Sequence, residues 1–194
     1  MKAIINGNII LKDRIVEGCA LLYSDVIEGI VKPENIPQNA QIIDANGGFV
    51  SPGFIDLHIH GYLGKDVCDG EEESIRTISK GLIANGVTGY LPTTMTVDMS
   101  VIKKSLQVLR DLKEESKTWE GSEILGCHAE GPFISDKKKG AQDAAHILKP
   151  DAEFVKEYSD IIKIITLAPE EDTDDFEAIR EINKSTDVIV SMGH

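Results

Sequence analysis

The sequence predicts an α/β protein, with a small N-terminal β-sandwich portion before a partial (β/α)8 barrel of about five strands and four helices. Three observations predict it. Short apolar runs broken by Asn-Gly, Pro and Gly-Gly fill the first 50 residues. From residue 49 onward, apolar runs of strand length alternate with amphipathic helical segments, which is typical of a parallel sheet. Polar residues follow several strand ends, as at the mouth of a barrel, and no Gly-x-Gly-x-x-Gly supports the doubly wound alternative.

Residues 1–50 are predicted to form a small β domain. The run "AIINGNIIL" has apolar residues on both sides of Asn6-Gly7, which is a hairpin signal. The segments "CALLYSDVIEGIV" and "AQIIDANGGFV" predict further strands. So few short strands bury little apolar surface by themselves, so we expect them to form one part of a sandwich that more chain completes.

Residues 51–194 are predicted to be the first part of a barrel. The predicted helices cover Glu71–Asn85 before a capping Gly86, a segment opened by Ser100 as N-cap, residues 151–158, and a last segment that carries Phe176, Ile179 and Ile182. Ile75, Ile78, Leu82 and Ile83 form the apolar face of the first helix. The five strands are predicted within "FVSPGFIDLHIHG", "GVTGYLPTT", "EILGCHAEG", "IIKIITLAP" and "DVIVSMGH". A complete barrel needs eight strands and about 250 residues, so we expect a truncated one.

Composition limits the classes of partner. The formal net charge of −13 argues against nucleic acid or an anionic membrane as the main partner. No apolar run approaches the ~18 residues of a membrane-spanning helix, and the N-terminus lacks the features of a signal peptide. Cys19, Cys68 and Cys127 show no CxxC spacing, which favours reduced thiols. We therefore expect a cytoplasmic protein.

Histidine and glutamate at strand ends predict a metal site. His58 and His60 have the i, i+2 spacing that puts two side chains on one face of a strand. A pair of hydrogen-bonded polar residues would have the same pattern. Glu130 ends another apolar strand, where it needs a partner or a metal, although it could instead cap a neighbouring turn. With His194, these residues offer the nitrogen and oxygen donors that suit zinc or iron.

The loop "DKKKGAQ" follows the strand that bears Glu130. Its three lysines are most simply explained as a solvated surface. Gln142 lies close enough to the same barrel mouth to hydrogen-bond a polar substrate. His146 has no partner pattern, and we assign it no role.

Five motifs, in this order and spacing, resemble the N-acetylglucosamine-6-phosphate deacetylases of the amidohydrolase superfamily: "PGFIDLHIHGYLGKD", "GVTGYLPTT", "HAEGPFISDKKKGAQ", "TLAPE" and "VSMGH". The resemblance implies a metal-dependent hydrolase barrel, a small β domain made from both chain ends, and a homodimer. It also implies metal-binding roles for Glu130 and His194, a second metal on His58 and His60, and sugar contacts for Ala141 and Gln142. The family's remaining metal histidine, catalytic aspartate and phosphate-binding residues would lie beyond position 194.

The activity implied is hydrolysis of N-acetyl-D-glucosamine 6-phosphate to D-glucosamine 6-phosphate and acetate, as part of amino sugar catabolism, with one or two zinc or iron ions. A polypeptide of residues 1–194 alone would lack the base, and its open sheet edges predict a dimer or higher oligomer. A related amidohydrolase that cleaves another amide is an alternative, but many of these carry a modified lysine after the fourth strand, where "IIKIITLAPE" has Lys163 too early. A non-catalytic half-barrel is the other alternative.

Overall fold

The computed structural model of the chain describes residues 1–173 and 175–194. It is a mixed α/β protein that divides into two compact units, Met1–Pro52 and Gly53–His194. No helix within the described residues has the length and hydropathy needed to cross a membrane. Cys19, Cys68 and Cys127 are free thiols.

The first unit contains two small sheets. Its strands are β1 (Lys2–Ile5), β2 (Asn8–Ile10), β3 (Ile15–Val16), β4 (Ala20–Tyr23), β5 (Ile27–Val31), β6 (Gln41–Asp44) and β7 (Phe49–Val50). One sheet has the order β5-β4-β1-β6 and the other the order β3-β2-β7. Ala3, Ala20 and Leu22 are buried in the first sheet and Ile9 in the second. The alternation of Ala20 and Leu22 along β4 follows from the two-residue period of a strand.

The hairpin predicted at Asn6-Gly7 is wrong. β1 pairs with β4 and β6, whereas β2 pairs with β3 and β7, so the two strands belong to different sheets. Asn6 has a φ of 53°, a value that Asn adopts more readily than most residues. A Cβ atom on Gly7 would lie 2.6 Å from the Val50 side chain. The Asn-Gly pair therefore turns a tightly packed corner between two sheets.

The second unit alternates strands with helices. Its strands are β8 (Phe54–Ile59), β9 (Gly61–Tyr62), β10 (Lys65–Asp66), β11 (Val87–Pro92), β12 (Glu123–Ile124), β13 (Cys127–Glu130), β14 (Ile162–Leu167) and β15 (Ile189–Met192). Its helices are α1 (Glu72–Ile83), α2 (Met99–Ser116), α3 (Ala152–Glu157) and α4 (Glu177–Ser185).

The main strands of this unit run parallel and follow one another in chain order. β8, β11 and β12 are neighbours in one sheet, and β13, β14 and β15 in another. A parallel bridge between Thr93 and His128 joins the end of β11 to β13. The strand predicted over 123–131 is therefore two strands, separated at Gly126, whose φ is 155°. The carboxyl ends of β8, β11, β13, β14 and β15 face one edge.

The helices cover this sheet with their apolar faces. Ile102, Leu106, Leu109 and Leu112 of α2 are buried. In α1, Ile75, Ile78 and Leu82 are buried, but Ile83 is exposed, because it lies at the last turn and off the buried stripe. These residues pack with Tyr90, Ile165 and others in one hydrophobic core.

The predicted start of α2 and the predicted place of Phe176 within the last helix are wrong. The N-cap of α2 is Asp98, whose Oδ1 accepts a hydrogen bond from Ser100 N at 2.8 Å, so Ser100 lies inside the helix. α4 begins at Glu177, and Phe176 precedes it with a φ of 60° and an exposed ring. Asp172 accepts a hydrogen bond from Ile179 N at 2.9 Å and so satisfies a free amide of the first turn.

Candidate metal centre

Three strands deliver the predicted ligands to one place. His58 lies near the end of β8 and His60 directly follows that strand, so their i, i+2 spacing places both rings on one side. Glu130 is the last residue of β13, and His194 follows β15. Because parallel strands end at the same edge of a sheet, residues far apart in sequence meet here.

The three imidazoles converge on the two oxygens of one carboxylate. Glu130 Oε2 lies 2.8 Å from His58 Nε2 and 3.3 Å from His60 Nε2. The other oxygen, Oε1, lies 2.8 Å from His194 Nε2. The two Nε2 atoms of His58 and His60 are themselves 3.2 Å apart. Glu130 is therefore the centre of the group, with its two oxygens turned towards different histidines.

The electrostatics of the site couple the glutamate to its histidines. Glu130 is 2% exposed, whereas the side chains of His58 and His60 are 44% and 31% exposed. Close contact with the Glu130 carboxylate raises the pKa of His60, against the opposing effect of burial. Burial raises the pKa of Glu130, but close contact with His60 and the charges of His60, His58 and His194 outweigh it, so that pKa is lowered. The carboxylate is thus held ionised.

The donor set fits a metal ion. Glu130 Oε2 is buried and has no hydrogen-bond partner, although two imidazole nitrogens lie close to it. A buried charged oxygen without a hydrogen bond is costly, and a cation between it and the two rings would remove that cost. Ligand atoms of His58, His60 and Glu130 lie within 4.8 Å of one another. Imidazole nitrogens and a carboxylate oxygen are ordinary metal ligands, so this group could hold a metal ion.

The group opens into a pocket of about 310 Å³. Its lining consists of the four predicted ligands together with Met95, Ala141, Gln142 and Thr166. Ala141 is exposed at the wall, whereas Gln142 is 4% exposed. Both residues that the sequence proposes as substrate contacts therefore lie beside the metal ligands.

The side chain of Gln142 forms hydrogen bonds within the protein. Its Nε2 donates a hydrogen bond to Glu130 Oε1 at 2.8 Å, and its Oε1 accepts one from Thr96 N at 2.6 Å. The Gln142 backbone carbonyl accepts a hydrogen bond from Lys139 Nζ at 3.0 Å, so Lys139 is not simply a solvated lysine of the loop.

Sequence reasoning assigned no role to His128, which supports the site. His128 Nδ1 lies 2.8 Å from the carbonyl oxygen of Leu57, and its Nε2 lies 2.8 Å from Thr166 Oγ1. A carbonyl can only accept, so Nδ1 carries the proton and Nε2 accepts from the hydroxyl. Burial lowers the pKa of His128, which favours this neutral ring. The ring also meets His58 edge to face, with centroids 4.7 Å apart.

In the sequence, His128 and Glu130 have the same i, i+2 spacing as His58 and His60, and this spacing is a signal that points to His128. No local signal identifies Thr166, which reaches His128 because β13 and β14 pair in parallel. Asp56 also continues the alternation of β8, but its Oδ1 accepts a hydrogen bond from His58 N at 3.0 Å, and Asp56 lies outside the His-His-Glu group.

Known proteins resemble this chain over its length. It is 39% identical over 163 residues to the N-acetylglucosamine-6-phosphate deacetylase of Bacillus subtilis, which covers 81% of this chain and 41% of that protein. The human N-acetylglucosamine-6-phosphate deacetylase is 31% identical and covers 93% of this chain and 47% of its own length. The crystal structure of the Pasteurella multocida N-acetylglucosamine-6-phosphate deacetylase superposes with a TM-score of 0.86 at 30% identity, over 100% of this chain and 50% of the other.

These matches show how much of its relatives' length the chain spans and to which family it belongs. The chain spans about half the length of the curated relatives it matches. Residues 49–192 match the amidohydrolase family, and this range includes His58, His60 and Glu130. The chain therefore belongs to the amidohydrolase family.

Proposed function

We propose that this chain is the N-terminal part of an enzyme that hydrolyses N-acetyl-D-glucosamine 6-phosphate to D-glucosamine 6-phosphate and acetate. The observation that carries the proposal is the convergence of His58, His60 and His194 on the buried carboxylate of Glu130. The relatives named N-acetylglucosamine-6-phosphate deacetylase support the choice of substrate. Such a reaction belongs to amino sugar catabolism, and we expect it to take place in the cytoplasm.

The proposed cofactor is zinc or iron, as one or two ions. His58, His60 and Glu130 Oε2 would hold one ion. His194 would contribute to a position beside Glu130 Oε1. When bound, a divalent ion supplies Lewis acidity, which makes water nucleophilic near neutral pH and polarises an amide carbonyl. The mixed nitrogen and oxygen donors support zinc or iron over magnesium or calcium, which prefer oxygen ligands.

The residues around this centre would bind the acetamide group. Ala141 and Gln142 line the pocket, and we propose that both contact the sugar. Among the described residues that line the pocket, Glu130 is the one carboxylate, and the histidines already engage it. The proton transfers from water and to the leaving amine therefore need another group. For this reason we expect a polypeptide of residues 1–194 to be inactive alone.

We assign residues 1–50 to a small β-sandwich portion and residues 51–194 to the first part of a (β/α)8 barrel. The consecutive order of the parallel strands supports the barrel, because the order reverses within a doubly wound sheet. The two sheets of the first unit support the sandwich.

We also propose that the protein associates as a homodimer or a higher oligomer. β8 and β15 are edge strands, and Phe54, Ile55 and Ile189 on them are more than half exposed. Unpaired edges and apolar patches favour pairing with another chain. Light scattering at low concentration tests this, and a monomer that unfolds cooperatively would contradict it.

The test of the function measures acetate release from N-acetylglucosamine 6-phosphate by the enzyme at its natural length. Glu130→Gln should abolish activity, because the variant keeps the size of the side chain and removes the charge. N-acetylglucosamine without phosphate and a cyclic amide serve as comparison substrates. Hydrolysis of the cyclic amide without acetate release from the phosphosugar would support the alternative amidohydrolase and refute this proposal.

A further inference from the structure

Gln142 holds both of its polar ends inside the protein. It lies on the loop after β13, where long polar side chains are normally solvated, yet it is 4% exposed. Its Nε2 donates to Glu130 Oε1 at 2.8 Å and its Oε1 accepts from Thr96 N at 2.6 Å. A buried carboxamide with a donor and an acceptor matched in this way has one favoured orientation, since the flipped amide would lose both bonds.

This arrangement makes the two oxygens of Glu130 unequal. Oε1 accepts the Gln142 hydrogen bond and faces His194 Nε2 at 2.8 Å. Oε2 has no hydrogen bond and faces His58 and His60. The terminal torsion of a glutamate is soft and roughly two-fold, so a free carboxylate would rotate. A fixed donor on one oxygen stops this rotation.

We propose that Gln142 is a positioning residue that locks the Glu130 carboxylate, so that Oε2 remains free for an ion beside His58 and His60. Thr96, on the segment after β11, holds Gln142 in place through its backbone amide, which donates to Gln142 Oε1. The inference rests on the proposed metal centre. It differs from a role in sugar contact, because the lock acts on the metal ligand before any substrate binds.

The experiment compares Zn²⁺ affinity in the absence of substrate, measured on the chain by competition with a chromophoric chelator. Gln142→Met keeps the length of the side chain and removes both hydrogen bonds. The matched control is Gln107→Met on α2, where an exposed glutamine bonds Asp111. Loss of a partner that orients a metal ligand costs about 10- to 100-fold in metal affinity, so we expect that loss for Gln142→Met and none for Gln107→Met.

Unchanged Zn²⁺ affinity in Gln142→Met would overturn the inference while leaving the proposed metal centre intact. Failure of the unaltered chain to bind Zn²⁺ would overturn both.

A measurement on the unaltered chain covers the case in which a variant does not fold. The Gln142 side-chain amide protons should exchange with deuterium much more slowly than those of exposed Gln107, and their NMR signals should move when Zn²⁺ is added. Exchange as fast as that of Gln107 would show that the carboxamide is not held, and would overturn the inference.

Discussion

Gly131→Ala should be strongly destabilising, because the position is crowded as well as conformationally restricted. Gly131 directly follows Glu130 and has a φ of +71°. A Cβ atom here would lie 2.2 Å from Thr96 Oγ1 and 3.0 Å from Thr96 N. The hydroxyl can rotate away, but the backbone amide cannot, since it donates to Gln142 Oε1.

Two costs add at this position. A left-handed backbone costs a non-glycine residue about 1–2 kcal/mol. Forcing an extra carbon into packed surroundings costs about 1–3 kcal/mol more. The sum of about 2–5 kcal/mol is a large part of the 5–15 kcal/mol that typically stabilises a domain. The same shift of Thr96 would disturb the hydrogen bond to Gln142, so Zn²⁺ affinity should fall as well.

Gly64→Ala is the matched control. Gly64 has a φ of +76°, and a Cβ atom there would meet nothing within 4 Å, so the expected cost is the backbone term of about 1–2 kcal/mol alone. Urea denaturation of the metal-free proteins gives the loss of unfolding free energy for both variants, provided that the slope of that free energy against urea concentration is unchanged. Equal losses of stability for the two variants would show that Thr96 moves aside without a loss of free energy. That result would refute the reasoning from close contact.

Four further outcomes are expected. The metal-free chain should be most stable between pH about 4.5 and 6.5. The pKa of His60 is raised, so the stability that His60 contributes is lost as the pH rises through that pKa. The pKa of Glu130 is lowered, so the stability that Glu130 contributes is lost as the pH falls through that pKa. Added Zn²⁺ should move the pH at which the melting temperature is highest to a larger value, because the metal binds deprotonated ligands. A maximum that stays at the same pH would contradict this expectation. Thr166→Val should cost about 1–3 kcal/mol in urea denaturation, since it leaves buried His128 Nε2 without a donor, and a cost near zero would disprove the assigned bond. Leu109→Ala should cost about 2–5 kcal/mol, because the side chain is fully buried in the core, and a loss below 1 kcal/mol would mean that α2 packs differently.

The regular elements could be predicted wherever local pattern and burial agree. The apolar stripe of α2 is buried as its periodicity predicts, and Ile162, Ile165 and Leu167 of the apolar run in β14 are buried. The hairpin predicted at Asn6-Gly7 is wrong because a turn signal does not show which strands pair. β1 pairs with β6, which lies far along the chain. The break at Gly126 was hidden for a similar reason, since only the positions of β11 and β14 decide where one strand stops pairing.

The site followed the same rule. His58, His60 and Glu130 could be chosen from their chemistry and their places at strand ends, and the structure brings them together. The engagement of Gln142 with Glu130 could not be foreseen, because it depends on the path of a loop. The contact between His128 and Thr166 depends on the register of two strands, which no single segment encodes.

The convergence of three strands on Glu130 has a consequence for the order of folding. A metal ion at this centre would tie together β8, β13 and β15, which lie far apart along the chain. Closing such long loops in the unfolded chain carries a large entropic cost, so an early ion would find few of its ligands together. Ion capture would therefore come late, after β15 has joined the sheet, and release of the ion would mark the first loss of that strand.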